Sequence, residues 1–355
     1  MASGSPEMLN SDMLFRFLDS AAHMRRIKAV GLLSGGLDST LAARLIQDQG
    51  IEVIAFNFRS PFYKSDPKGR SEAAKTASKF NIALKVAMAN IEYLEMLLHP
   101  KHGYGSGMNP CIDCKILMLR KAKQFAKGIG AKFLFTGEVL DQRPMSQHRR
   151  ALDIIEKEAD LEGKILRPLS ARLLPPTEAE NKGWVDRTKL PSIKGRSRKP
   201  QMALASTLGV FDYPSPAGGC LLTEKEFAAR LRDLINHKRN ITMKDIAILK
   251  VGRHFRFEKN KMIIGRNEEE NRVLLSLDDR RQTYLEVQDC GSPVTVLQGR
   301  LSKKALAVAA RLTARYSDSK SEEVLVSYRQ GTVSGNIRVR KMAEDEASTL
   351  RISST

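Results

Sequence analysis

The sequence predicts an α/β chain: a doubly wound parallel sheet with a smaller C-terminal α+β domain. Three observations carry that expectation. From Lys28 onward, short apolar runs alternate with helical patterns of roughly 10 to 15 residues, the rhythm of parallel strands covered by helices on both faces. The stretch "LSGGLDST", residues 33–40, separates the first apolar run from the first helical pattern, at the strand end where such sheets bind ligands. From about Ile241 the rhythm changes to short strand-like runs around one long helical segment, "SKKALAVAARLTARYS".

The elements follow in order. Residues 1–25 read as a lead with one helical pattern in "SDMLFRFLDSAAHMRR". A nucleotide-binding domain is expected over 26–164. It begins with strand "KAVGLL", a helix from Ser39 through Gln49, strand "IEVIAFNF", helix "GRSEAAKTASKF", strand "IALKVAMA" and helix "IEYLEMLLH". The glycine-rich loop "KHGYGSGMNP" then leads to a helix from about Asp113 to Lys127 and strand "KFLFTG". Residues 165–238 read as a basic insertion or lid with a helical extension carrying Cys220. Between Asp186 and Pro200 it holds six Lys/Arg against one Asp, yet Trp184 and the flanking apolar residues favour an ordered segment over a linker. Residues 239–355 form the α+β domain, with strands in "IAILKVGRHFRF", "NKMIIGR", "RVLLSL", "SPVTVLQG", "EEVLVSYRQ" and "GNIRVRKM".

At 355 residues and 42% hydrophobic, the chain can bury a substantial core in two or three domains. Lys and Arg (59) outnumber Asp and Glu (40), a net charge of +19. That field points to a polyanionic partner, nucleic acid above all; a generally basic surface is the plain alternative. No apolar run is long enough to span a bilayer and the start lacks a signal-peptide pattern, so a cytoplasmic protein without a membrane partner is expected. In a reducing compartment, Cys111, Cys114, Cys220 and Cys290 are reactive or metal-bound thiols rather than a disulfide framework.

Two adjacent glycines and a Ser/Thr cluster before a helix make a phosphate cradle, but without the lysine that the Gly-x-x-x-x-Gly-Lys-Ser/Thr loop requires. Ser34-Gly35-Gly36-Leu37-Asp38-Ser39 resembles the signature of the PP-loop ATP pyrophosphatases, whose fold is adenine nucleotide alpha hydrolase-like. The resemblance implies ATP cleavage between the α- and β-phosphates, attack of a substrate oxygen on the α-phosphorus, and displacement of the adenylate by a nucleophile. It places Ser34, Gly35, Gly36, Asp38, Ser39 and Gly137 at the nucleotide, with Asp38 catalytic and positioning Mg²⁺ or ATP. A first-turn acid serving the helix dipole is the alternative for Asp38.

Two further stretches narrow the class. "NPCIDCK", carrying Cys111 and Cys114, resembles the tRNA 2-thiouridylases, and "TGEVLDQRPMSQ", residues 136–147, resembles the tRNA 4-thiouridine synthetases, with Asp141 in place of the family's glycine. With Cys220 in "PAGGCLL", these resemblances cover about residues 28–235. They imply ATP-dependent tRNA uridine thiolation by a tRNA sulfurtransferase, leaning to 4-thiouridine, with tRNA and a sulfur donor (sulfide or a persulfide-carrying desulfurase) as partners. Cys111, Cys114 and Cys220 would deliver sulfur. Either they bind three irons of a 4Fe-4S cluster, the arrangement that CxxC plus one cysteine matches better, or one bears a cysteine persulfide that another thiol resolves. A zinc site with a distant ligand such as His148, or merely buried small side chains, are the alternatives. Cys290 reads as structural.

"VGRHFRFEKNKMIIGRNEEEN" and "CGSPVTVLQG" are similar to the NFACT-R type of RNA-binding domain. That similarity implies phosphate contacts from Arg253, Arg256 and Arg266, with His254, Lys259, Lys261 and Arg272 beside them and Phe255 and Phe257 packing or stacking. Arg143, Arg196, Arg198 and Lys199 are expected along the tRNA path, and Glu138 and Gln142 near the uridine. A solvated basic face is the alternative for each cation alone. "RPLS", residues 167–170, receives no role. Two rival classes remain: a PP-loop ligase that adenylates a small molecule, and an RNA-binding factor whose nucleotide domain only regulates it.

Overall fold

The computed structural model describes residues 27–63, 71–214, 220–277 and 279–353. The 1–25 lead, with its helical pattern, lies outside them. In chain order the elements are β1 (Lys28–Leu32), α1 (Leu37–Gln47), β2 (Glu52–Arg59), α2 (Glu72–Lys79), β3 (Ala83–Met88), α3 (Ile91–Leu98), α4 (Cys111–Gly128), β4 (Phe133–Thr136), α5 (Arg149–Glu158) and β5 (Ile165–Leu166). There follow α6 (Glu178–Asn181), α7 (Lys199–Thr207), α8 (Lys225–His237), α9 (Met243–Ile248), β6 (Arg253–Phe257), β7 (Asn260–Ile264), α10 (Glu268–Ser276), β8 (Thr283–Val287), β9 (Thr295–Gln298), α11 (Lys303–Arg315), β10 (Glu323–Gln330), β11 (Val333–Arg340) and α12 (Glu344–Leu350). The described residues divide into two compact units: 27–58, 71–87 and 115–214, and then 59–63, 88–114 and 220–353.

The first unit is the doubly wound sheet, in the order β3-β2-β1-β4-β5. β1 pairs in parallel with β2 (Gly31 opposite Ala55) and with β4 (Gly31 opposite Phe135), and β5 runs parallel to β4. Gly31 has a packing reason: a Cβ there would stand 2.3 Å from the Phe135 ring. The order reverses between β1 and β4, so the loops leaving these strands open a crevice. Helix α1 buries Leu37, Leu41, Leu45 and Ile46 against this core. The segment after β5 is ordered, with a 3₁₀ turn at Pro168–Leu173 and a capping box from Thr177 to Glu180 that starts α6. Trp184 stacks on Phe133 at 6.4 Å under the Lys182 ammonium at 4.9 Å.

The second unit contains a six-stranded antiparallel sheet in the order β11-β10-β8-β9-β7-β6. Its alternating residues face two cores. On one side α11 packs Ala305, Ala309 and Leu312 with Phe255, Met262, Leu285 and Val326. On the other, Ile248 of α9 and Leu274 of α10 cover Ile263, Tyr284 and Val296. Two expected strands are helices. "RVLLSL" belongs to α10, because the Asn267 side chain caps the helix by accepting from the Glu270 amide and three glutamates occupy the first turn. "IAILK" is mostly α9, started by the Thr242–Asp245 capping box. Short apolar runs fit either period, and here the caps decide.

Candidate functional site

The loop after β1 is held by its own hydroxyls. Ser39 Oγ donates to the Gly36 carbonyl at 2.9 Å, Ser34 Oγ lies 3.1 Å from Ser39 Oγ, and the Gly36 amide donates to Ser34 Oγ at 3.3 Å. Gly35 adopts φ +82°, and a Cβ on it would sit 2.2 Å from the Glu72 backbone at the start of α2, so this position requires glycine. Gly36 is the N-cap of α1 and makes no side-chain cap. The first amides of α1 have no acceptor within the helix and are aimed at whatever occupies the loop.

The loop after β4 meets it. A Cβ on Gly137 would stand 2.5 Å from the Ser39 backbone, so Gly137 admits the close approach of the two loops. Gln142 Nε2 donates to Asp38 Oδ2 at 3.1 Å, while Asp38 Oδ1 is buried without a partner. Asn57, at the end of β2, donates to the Leu33 carbonyl at 2.7 Å and fixes the base of the first loop. A carboxylate with one oxygen anchored and one uncommitted, beside a phosphate cradle, fits a Mg²⁺ ion that keeps most of its ligands as water and phosphate. Asp141 has φ +61°. That explains the glycine of the resembled motif: the turn needs the left-handed region, which aspartate tolerates better than most side chains.

Behind this crevice lies a buried charge network. Glu138, 3% exposed, accepts from Thr136 Oγ1 at 3.0 Å and Arg167 Nε at 3.2 Å, with Lys115 Nζ 3.3 Å away. Burial alone would raise its pKa, but Lys115 and Arg167 outweigh burial and hold the carboxyl below its usual range. Arg167 also pairs with Glu156. Ser170 Oγ accepts from the Leu140 amide at 2.9 Å and donates to the Ile193 carbonyl at 2.6 Å, and the Gly195 amide donates to the Leu140 carbonyl at 2.7 Å. These bonds bring the basic segment to the β4 loop: Arg143, Arg196 and Lys199 are exposed, and Arg198 is the half-buried N-cap of α7.

The second unit gathers the thiols. Cys111 opens α4 and its Sγ accepts from Asn109 Nδ2 at 3.1 Å; Asn109 Oδ1 in turn accepts from the Gly107 amide. The Asp113 carboxylate accepts the Lys101 and His102 amides, each at 3.1 Å. Gly107 packs against the turn after Cys220, where a Cβ would meet the Leu222 carbonyl oxygen at 2.2 Å, and the Met108 amide donates to that oxygen at 2.8 Å. Cys114 Sγ lies 4.0 Å from the Tyr93 hydroxyl. Burial raises the Tyr93 pKa well above normal, and the negative charges of Cys114 and Cys220 raise it further.

No two of the four cysteines form a disulfide. Among the described residues no three His, Cys, Asp or Glu side chains are placed to hold a metal ion. His148, the distant zinc ligand considered, is engaged elsewhere: its Nδ1 caps α5 by accepting from the Ala151 amide.

The arginines picked from the C-terminal pattern are engaged within the protein. Arg256 forks onto Asp233 of α8 at 2.8 and 2.5 Å, with buried Lys261 3.3 Å from the same carboxylate. Arg266 pairs with Glu270, and Arg253 stacks over Tyr316 at 4.6 Å. His254 is buried, its Nε2 2.8 Å from the Val251 carbonyl oxygen. Phe255 is in the core and Phe257 packs against it.

Residues 25–172 match the family described as "Thiamine biosynthesis protein (ThiI)", and residues 252–351 match "NFACT protein RNA binding domain". The chain is 32% identical over 144 residues to a "Probable tRNA sulfurtransferase" of Thermococcus kodakarensis, covering 40% of this chain and 36% of that one. It is 31% identical over 117 residues to a protein of the same name from Caldanaerobacter subterraneus subsp. tengcongensis, covering 32% and 30%. A "tRNA-specific 2-thiouridylase MnmA" of Marinobacter nauticus is 32% identical over 137 residues, covering 36% and 34%. The chain therefore spans about a third of the length of these relatives.

Sequence reasoning missed several residues of the crevice and of the network behind it: Asn57, Lys115, Thr136, Arg167 and Ser170. Arg167 and Ser170 lie in "RPLS", whose position after an apolar run was the available signal. Tyr93 also escaped notice, because its helix reads as ordinary amphipathic sequence.

Proposed function

We propose that this chain is an ATP-dependent tRNA sulfurtransferase that thiolates a uridine, at the 4-position given the "GEVLDQRPMSQ" match. The observation that carries this reading is the crevice at the β1/β4 switch point. There the cradle of Ser34, Gly35, Gly36 and Ser39 faces an Asp38 carboxylate that Gln142 orients by one oxygen only. In this reading the uridine O4 attacks the α-phosphorus of ATP, the bond to the bridging oxygen breaks, and pyrophosphate departs into the amide-lined loop. Asp38 would hold Mg²⁺, which neutralises phosphate charge when bound. Glu138 stays ionised and fixes Arg167 and Lys115 behind the β4 loop.

For the sulfur step we propose the persulfide route, carried by Cys114 beside the Tyr93 hydroxyl. The outer sulfur of a Cys114 persulfide attacks C4 and AMP leaves. The Cys220 thiolate then attacks the Cys114 sulfur, releasing thiouridine and leaving a Cys114–Cys220 disulfide that an external dithiol reduces. The Tyr93 hydroxyl can donate to a sulfur anion in this pocket. Asn109 likewise polarises Cys111. In this route the Cys114 thiolate takes the outer sulfur of a persulfide-carrying desulfurase, which leaves as its own thiolate, and the enzyme would work in the cytoplasm. Among the described residues no helix is long and apolar enough to cross a membrane.

The test is pyrophosphate release from Mg-ATP with and without unmodified tRNA. Release should depend on tRNA and fall by about 100-fold or more in Asp38→Ala, the scale for losing a group that stabilises developing charge. Cys114→Ser should still release pyrophosphate but transfer no sulfur. Release driven by a small carboxylate and indifferent to tRNA would instead favour a ligase.

A further inference from the structure

We infer that the outer face of the β10–β11 hairpin is a contact surface for an RNA phosphate backbone. The inference rests on the proposed tRNA reading and adds where the C-terminal domain holds the RNA. The register divides the hairpin cleanly. Val324, Val326 and Tyr328 oppose Val339, Ile337 and Gly335 and turn to the α11 core. Leu325, Ser327 and Arg329 oppose Arg338, Asn336 and Ser334 on the other face.

On that outer face α9 and α10 cover the central strands up to Tyr284 of β8. Arg329 is the next residue across the ladder from Tyr284, and its guanidinium lies over the Tyr284 ring at 4.8 Å. Beyond it Arg329, Ser334, Asn336, Arg338 and Arg340 are all exposed. From Ser334 to Arg340 the strand runs roughly 20 Å at the usual rise per residue, enough to follow several nucleotides.

The charge distribution singles this face out. Arg256, Arg266, Arg272, Arg311 and Arg315 are each paired with a carboxylate. Arg340 has only a loose 3.9 Å approach to Glu322, with both side chains more than 70% exposed. Arg329 and Arg338 form no ion pair among the described residues. Exposed Arg280 joins the strip at the hairpin turn, since the Gln330 side chain donates to the Arg281 carbonyl beside it. Glu286 and Glu323 are the acids on this face of β8 and β10. Arginines spaced along an open ladder, with serine and asparagine between them, are the residue types that grip phosphates and sugars.

The test measures tRNA affinity of the full chain against salt concentration. It compares wild type, Arg329→Gln/Arg338→Gln/Arg340→Gln, and a charge-matched control, Arg300→Gln/Lys303→Gln/Lys304→Gln, at the start of the helix on the opposite face. The hairpin variant should lose about 2 to 3 units from the slope of log affinity against log salt, the value for three phosphate contacts. The control should lose well under one unit. Equal slopes in wild type and hairpin variant, or equal losses in both variants, would overturn the assignment while leaving the tRNA reading intact. A wild-type protein that does not bind tRNA would sink both.

Discussion

Gly35 and Gly36 are neighbours in one loop and have different reasons to be glycine. Gly35 needs φ +82° and leaves no space for a Cβ against Glu72 and Ala73, whereas Gly36 has φ −78° and its nearest outside atom, Ser34 Oγ, would be 3.5 Å from a Cβ. Gly35→Ala should therefore destabilise the fold by at least about 2 kcal/mol, the scale of a strained left-handed residue with a backbone clash. Gly36→Ala should cost under about 1 kcal/mol, as at other N-caps, yet weaken ATP binding by placing a methyl group in the cradle. Urea denaturation of both variants separates these effects, and equal stability loss would contradict the loop geometry. At this scale the loop motif singled out Asp38, whereas Gln142 was expected near the uridine and is found donating to the Asp38 carboxylate. Asn57 and Arg167 were not legible, because their roles depend on partners brought in by the sheet.

At the scale of elements, α8 is pinned to β6 and β7 by one carboxylate. Asp233, Arg256 and Lys261 are all largely buried. Burial works to raise the Asp233 pKa, and the hydrogen bonds from Arg256 with the Lys261 charge reverse that and hold it low. Burial also brings Lys261 down to about 8 despite Asp233. Asp233→Asn leaves two buried cations facing each other and should destabilise the second unit by about 3 kcal/mol in denaturant titration. Because the Asp233 pKa is lowered in the fold, its stabilisation is complete above the ordinary aspartate pKa and is lost as pH falls through the lowered value. The Asn variant should lack that part of the acid-side decline, and an unchanged melting profile would contradict the role. Sequence alone assigned Arg256 to RNA, since nothing local to β6 reveals a partner 23 residues upstream. The same limit turned "RVLLSL" into a strand: its apolar residues fit both periods, and Asn267 with its glutamates was the overlooked signal.

For the whole molecule, a net charge of +19 does not by itself locate a partner, because the ion pairs absorb many of the cations. Among the described residues, exposed cations that form no ion pair include Lys194, Arg196 and Lys199 beside the β4 loop and Arg329 and Arg338 on the β10–β11 hairpin. The alternation of strands and helices made the first unit readable, since parallel sheets impose that rhythm on the sequence. The cysteines were readable from sequence, but the Tyr93 hydroxyl beside Cys114 was not, because only the fold brings the two helices together. If Asp38 supports ATP activation and Cys114 carries the sulfur, both are needed for one product. Nucleoside mass spectrometry of unmodified tRNA incubated with the protein, Mg-ATP, a dithiol and a persulfide-charged desulfurase reads both steps. The account predicts an ATP-dependent 4-thiouridine that disappears in Asp38→Ala and in Cys114→Ser. Pyrophosphate released without any sulfur entering the tRNA would contradict it.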